Sequence, residues 1–253
     1  MFRTNFRNIA VFLTSLFLLH LPGTAAAFPI PERLEFEVSY TGIPAGRAVQ
    51  EIRQTAGEIQ IVSTAQSADW LKMFFPVNDR IESFLIPGTP PNYIGTPHFF
   101  RERIREGRTR RQRDVRFDRH TLEVTTKDLL KKTEKTAKIS TKTYDTLSSF
   151  FYVRSIPLQV GRSYYIDVFD GKKLWNTEVQ VLRREELVTP LGRFKTIVIK
   201  PIMKYEGIFA RTGDLYIWLS DDDRRIPVQM KSKVIIGSIT ATAVGGSYWP
   251  AKK

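Results

Sequence analysis

From Glu32 to Val244 the chain is a succession of short segments in which apolar and polar residues alternate, each closed by glycine, proline or a small polar cluster. Period two is the strand period, and segments of this length broken by turn residues predict antiparallel β structure. Glu32 to Thr41 alternates. A Gly42-Ile43-Pro44-Ala45-Gly46 connection then leads into Arg47 to Gln54, and Gly57 parts that strand from Ile59 to Gln66. Asp79 to Ile86 follows, and the proline- and glycine-rich piece from Pro87 to Pro97 reads as a loop. Gly171, with Asp170 before it, turns Tyr164-to-Phe169 into Leu174-to-Arg184, and Thr189-Pro190-Leu191-Gly192 precedes Phe194 to Pro201. Leu215 to Leu219, Val228 to Val234 and Ser238 to Val244 complete the set, separated by Asp221-Asp222-Asp223-Arg224-Arg225 and by Gly237.

One segment keeps a helical period. In TKTYDTLSSFFYVRSIPLQVG, Asp145 is placed to cap a helix carrying Leu147, Phe150, Phe151 and Val153, and Pro157 follows its stop. Its apolar face is too rich for a linker, so it is expected to plug one sheet. DWLKMFFPV forms one helical turn or two, and Lys127 to Lys142 is a lysine- and threonine-rich stretch of low complexity. The expectation is a mainly β fold: a single antiparallel β-roll or spiralled barrel-like sheet of about a dozen strands, with one or two short helices, over residues 28–253.

Residues 1–27 read as a cleaved signal peptide. Arg3 and Arg7 precede an apolar run from Ile9 to Leu19, then come Pro22-Gly23 and Ala25-Ala26-Ala27. A mostly apolar run of eleven residues is too short for a span, which takes about 20. No cysteine follows to carry a lipid, so the expected product is an exported, periplasmic chain that is not lipid-anchored. The complete sequence has no cysteine, and a chain of this size needs no disulfide.

The net charge is +13, and removing Arg3 and Arg7 leaves 37 basic against 26 acidic residues, or +11. Eight of the arginines fall in the nineteen residues FFRERIREGRTRRQRDVRF, Phe99 to Phe117. Such density attracts polyanions. Nucleic acid is scarce outside the cytoplasm, so the partners to expect are anionic lipid, lipopolysaccharide or acidic polysaccharide. Read with period two, Phe99, Arg101, Arg103 and Arg105 share one face of a first strand. After Gly107, Arg111, Arg113, Val115 and Phe117 share a face of a second. Arginine can there stand opposite glutamate or aspartate across the ladder, leaving the excess to solvent.

Catalytic chemistry has little to work with. Once residues 1–27 are removed, only His98 and His120 remain, and without a thiol they do not make a transition-metal site; Asp221-Asp222-Asp223 lacks the spacing of a calcium loop. No metal and no cofactor are expected. Ser148-Ser149 lies in the predicted helix rather than at a nucleophile elbow. Asp79 and Glu82, three apart on a strand, face opposite ways and cannot flank one bond.

Several stretches resemble the bacterial exported family known as domain of unknown function 3108: the G-I-P-A-G turn at Gly42 to Gly46, V-F-D-G-K at Val168 to Lys172, I-W-L-S-D-D at Ile217 to Asp222 and R-R-I-P-V at Arg224 to Val228. The resemblance covers roughly residues 32 to 243. It implies a β-roll or spiralled barrel-like sheet in the periplasm of Gram-negative bacteria and an arginine-rich strand pair with its turn at Glu106-Gly107-Arg108. It implies no catalytic residue.

The resulting expectation is a non-enzymatic envelope binding or assembly factor. Arg101, Arg103, Arg105, Arg111 and Arg113 would form a basic strand face for an anionic component, with Trp70, Phe74 and Phe75 as the apolar contact. The alternative is a lipid or lipoprotein carrier with an apolar trough inside the sheet and the aromatic segment as its lid. A glycan-acting envelope enzyme is third.

Overall fold

The computed structural model describes residues 28–89, 92–202, 214–234 and 236–250; the signal-peptide reading of 1–27 lies outside them. One meander of eight strands comes first: β1 Glu32–Tyr40, β2 Ile43–Thr55, β3 Glu58–Ser67, β4 Asn78–Ile86, β5 Thr96–Glu106, β6 Thr109–Asp118, β7 Glu123–Asp128 and β8 Thr133–Lys138. A helical turn, α1 Asp69–Lys72, sits between β3 and β4. After β9 Tyr144–Asp145 and helix α2 Thr146–Ser155, a second meander runs through β10 Ser163–Phe169, β11 Leu174–Thr189, β12 Gly192–Ile202, β13 Leu215–Ser220, β14 Pro227–Lys233 and β15 Ser238–Gly246.

All fifteen strands join one sheet, in the order β8 to β1 and then β15 down to β9. β1 and β15 pair antiparallel at its centre, and β9 is parallel to β10. The two edge strands, β8 and β9, are consecutive in the chain and separated only by residues 139–143. Laid flat, fifteen strands would hold those edges about 67 Å apart at ~4.8 Å per strand. Six steps of extended chain cover at most about 21 Å. The sheet therefore has to curl until its edges approach. Register shifts in β1, β4, β11 and β13 supply local bends. Across the closed bore, Phe117 of β6 meets Phe169 of β10 edge to face, with ring centroids 6.3 Å apart.

Helix α2 occupies that bore. Leu147 and Phe151 pack with Ile52, Ile61, Leu85 and Phe100 of the first wing, Val153 packs with Val179, Ile197 and Leu219 of the second, and Phe150 lies against both. A helix covered on opposite sides shows no simple apolar stripe. Its start is fixed by Asp145, whose Oδ1 accepts from Leu147 N and Ser148 N, both 2.9 Å, while Ser83 Oγ of β4 donates to Oδ2 at 2.6 Å. Burial raises the Asp145 carboxyl above its usual value against the pull of these hydrogen bonds.

The helix end is fixed by charge. Arg154 and Glu32 are both buried, with side chains 0% and 1% exposed, and the guanidinium donates to both carboxylate oxygens at 2.7 Å. Arg154 Nε also donates to Arg225 O at 3.0 Å, and Tyr248 Oη donates to Glu32. The guanidinium lies over the Phe28 ring, 4.0 Å from its centroid, and near that of Phe151, at 5.1 Å.

Two details differ from the sequence-based expectation. β2 starts at Ile43, inside the expected turn. The low-complexity stretch holds β8, paired to β7 from Glu123↔Lys138 to Asp128↔Thr133. The expected helical segment is present as α1, a single turn with none of its residues buried. Breaking one side of a buried ion pair strands the other charge, which costs about 3–5 kcal/mol. Arg154→Met is expected to lower unfolding free energy in urea by about that much, and Glu32→Gln added to it to restore part of the loss.

Candidate functional site

The arginine-rich stretch is the β5–β6 hairpin. Its register runs from Phe99↔Arg116 to Glu106↔Thr109 and sets Arg101 opposite Asp114, Arg103 opposite Gln112 and Arg105 opposite Arg110 on the outer face. Glu102 faces Arg113 and Ile104 faces Arg111 on the inner one. Directly opposed residues share a face, so the five arginines expected to form one basic surface are divided. Arg101, Arg103 and Arg105 point outward, while Arg111 and Arg113 turn toward the bore. Most are also neutralised. Arg101 and Arg103 converge on Asp114 at 3.3 and 2.8 Å, and Arg111 and Arg113 converge on Glu102 at 3.0 and 3.7 Å. Two guanidinium groups hold Asp114 below the usual carboxylate range, although burial, the largest single influence, opposes them.

Arg105 and Arg108 have no carboxylate partner among the described residues, and Arg110 donates only to the carbonyls of Gly107 and Thr109, at 2.7 and 2.8 Å. These three surround the hairpin turn. Sequence reading missed Arg108 and Arg110 because it ranked arginines by strand alternation; the turn itself, Glu106-Gly107-Arg108, was the available signal.

The aromatic segment touches that same turn. Gly107 has φ +53°, and a Cβ there would lie 2.6 Å from the Phe75 ring. Gly107 N donates to Pro76 O at 2.9 Å. Behind the turn, Trp70 Nε1 donates to Pro44 O at 3.0 Å. Held at both ends, the segment presents its side chains outward: Trp70 is 53% exposed, Met73 86%, Phe74 79% and Phe75 49%. Core packing and a lid over an inner trough, the other roles available to it, both require burial that these side chains lack. Tyr40, Ile43, Ile236 and Ile239 are exposed on the adjoining rim, tied together by Tyr40 Oη donating to Ile236 O at 2.7 Å and Thr41 N to Ser238 O at 2.8 Å. A connected set of large exposed side chains marks a contact surface more than a scatter of single ones does.

Beneath the turn is a cluster of inward charges: Asp79, Glu102, Glu106, Arg111 and Arg113. Burial, and next the Asp79 carboxylate that it touches, push Glu106 up to about 7. Asp79 Oδ1 meanwhile accepts from Arg105 N at 2.8 Å. Two carboxyl groups in hydrogen-bond contact leave no room for a glycosidic bond, which needs them about 5–9.5 Å apart. Glu82 lies on the other face, with Arg80 at 2.8 Å. The aspartate-rich turn is also engaged: Asp221 pairs with Arg184 at 2.7 Å and Asp222 with Arg224 at 2.5 Å. No helix among the described residues is long and apolar enough to cross a membrane.

A family model described as a protein of unknown function (DUF3108) matches residues 35–244. A solved structure, that of a beta-barrel-like protein of domain of unknown function DUF1849 from Brucella abortus, superposes with a TM-score of 0.54 at 12% identity, covering 87% of this chain and 98% of that one. At that identity the likeness concerns the fold. No curated protein matches in sequence.

The Glu106 carboxyl makes a pH prediction. Its ordinary value is 4.5 and its folded value about 7, so between these the folded chain binds the proton more tightly. The contribution is greatest below pH 4.5, shrinks as pH rises and is gone above about 7. Discounted for partial solvent access, about 1–2 kcal/mol is at stake, or a few degrees in melting temperature. Melting curves at pH 5 and pH 8 should show a smaller difference for Glu106→Gln than for the parent.

Proposed function

We propose, for a chain that belongs to the DUF3108 family of proteins of unknown function, that it is an exported binding factor docking on an anionic membrane surface of the cell envelope. The observation that carries this is the adjacency of four exposed apolar side chains, Trp70, Met73, Phe74 and Phe75, to Arg105, Arg108 and Arg110, which lack carboxylate partners among the described residues. Stable attachment to a bilayer takes both an apolar anchor and a basic patch. Each arginine near an anionic surface contributes about 1 kcal/mol, and burying apolar area contributes about 25 cal/mol per Å².

The apolar half of the surface favours a membrane over a polysaccharide, since a glycan chain offers no hydrocarbon phase to receive Phe74 or Met73. The ion pairs of Arg101, Arg103, Arg111 and Arg113 favour an architectural role for those residues in the hairpin. The signal-peptide pattern in residues 1–27 supports placing the surface outside the cytoplasm.

Cosedimentation with phosphatidylglycerol vesicles tests the reading. The expected result is binding that weakens in 0.5 M salt and is poor on phosphatidylcholine. Arg105→Gln/Arg108→Gln/Arg110→Gln should weaken it by about 100-fold, at ~1 kcal/mol per arginine. Met73→Ser/Phe74→Ser should abolish the residual high-salt binding, and Arg101→Gln should matter little. Equal binding of all variants would remove the proposal.

A further inference from the structure

Helix α2 does not fill the bore. Alongside it, from Leu147 to Val153, lies a cavity of about 210 Å³, walled by Leu147, Phe150 and Val153 of the helix and by Val168, Val179 and Ile217 of the second wing. An apolar cavity of ~150 Å³ already stays dry and accepts a benzene-sized guest, so this one has room for the end of an aliphatic chain.

Its polar groups are few, and the Asp170 and Ser149 side chains at its edge are occupied. Asp170 accepts from Lys172 N and Lys173 N, both at 2.8 Å, and from Trp175 Nε1 at 3.0 Å; Ser149 Oγ donates to Thr146 O at 3.1 Å. Gln50 differs from these two. It reaches the cavity from β2, and its carboxamide oxygen is buried without a hydrogen-bond partner. The wall is mostly apolar, and a trapped water needs two to four polar partners around that oxygen. A hydroxyl or amide on an otherwise apolar guest satisfies it with one bond.

We infer that the cavity between α2 and the β10–β14 wing is a binding site for an aliphatic chain bearing a hydrogen-bond donor, with Gln50 as the acceptor that positions it. The wall is made from the ends of β10 and β12 and the beginnings of β11 and β13. In the meander these lie at the same end of the bore as the turns following β1, β3 and β5. A chain could therefore be taken up from a bilayer on which the aromatic segment rests. That route depends on the proposed docking; the site itself does not.

The test uses 1-decanol and decyl methyl ether, equal in apolar content but differing in the donor, with isothermal titration calorimetry. The parent should bind the alcohol about five- to tenfold more tightly than the ether, the worth of one hydrogen bond. Gln50→Leu should remove that preference while retaining the ether. Val179→Phe, which fills the space, should bind neither yet still sediment with phosphatidylglycerol vesicles. Met73→Ser/Phe74→Ser should still bind decanol in solution, so that the docking and the cavity fail separately. Re-isolated after exposure to phosphatidylglycerol vesicles or to free oleic acid, the parent should carry one equivalent of lipid from one of them, identifying the source by mass. Failure to bind either decyl compound, or lipid-free protein after both exposures, would overturn the inference.

Discussion

The Arg154–Glu32 pair is the interaction on which the architecture turns. Glu32 opens the first strand, at the centre of the sheet. Arg154 closes the helix, and the carbonyls of Arg224 and Arg225 that complete its shell belong to the turn before β14. Tyr248, beyond the last strand, donates to the same carboxylate. Four distant pieces of chain thus meet at one buried charge. Removing two ions from water costs several kcal/mol each, and the attraction between them offsets this only when every donor is satisfied and the geometry is close to ideal. A well-packed apolar pair could be as stable. What the ion pair adds is position: a bidentate contact stacked between Phe28 and Phe151 holds the helix end at one depth.

That depth has consequences further up the bore. Ten helical residues span about 15 Å at 1.5 Å each, whereas the sixteen of β11 span about 50 Å before tilt is considered. A plug pinned at one end and shorter than its walls leaves the opposite half of the interior to be filled by something else. On the first-wing side the filling is the cluster of Asp79, Glu102, Glu106, Arg111 and Arg113. On the second-wing side it is the apolar cavity, which extends back beside the helix as far as Val153. The two meet where Arg113 lies beside Gly171 of the β10–β11 turn, its Nη1 3.5 Å from where a Cβ would stand.

The strands were legible wherever one face is buried, because burial writes period two into the sequence. β8, Thr133–Lys138, is exposed along nearly its whole length, so neither face selects apolar residues and only pairing with β7 makes it a strand. The α2 cap was legible from Asp145 alone, since capping is local. Arg154 and Glu32 stand 122 positions apart, and no local pattern announces such a partner. The division of the arginines was half visible. Alternation gave the faces of β5 and β6 separately, but relating them needs the register, which is set by the two-residue turn pairing Glu106 with Thr109. For Trp70 to Phe75, composition showed concentrated apolar side chains without showing their direction. That depends on how Pro44 and Gly107, far apart in sequence, anchor the two ends of the segment.

The same topology explains why chemistry gathers at one rim. In an antiparallel meander every second turn emerges on the same side, and the antiparallel β1–β15 pairing carries that parity across the centre of the sheet. The connections after β1, β3, β5, β10 and β14 are therefore neighbours around one opening regardless of their distance in sequence. The opposite rim carries the buried Arg154–Glu32 lock. With the helix end held at one rim by a buried ion pair, the side chains that protrude for contact gather at the other, where the mouth-side strand ends of the cavity wall also lie.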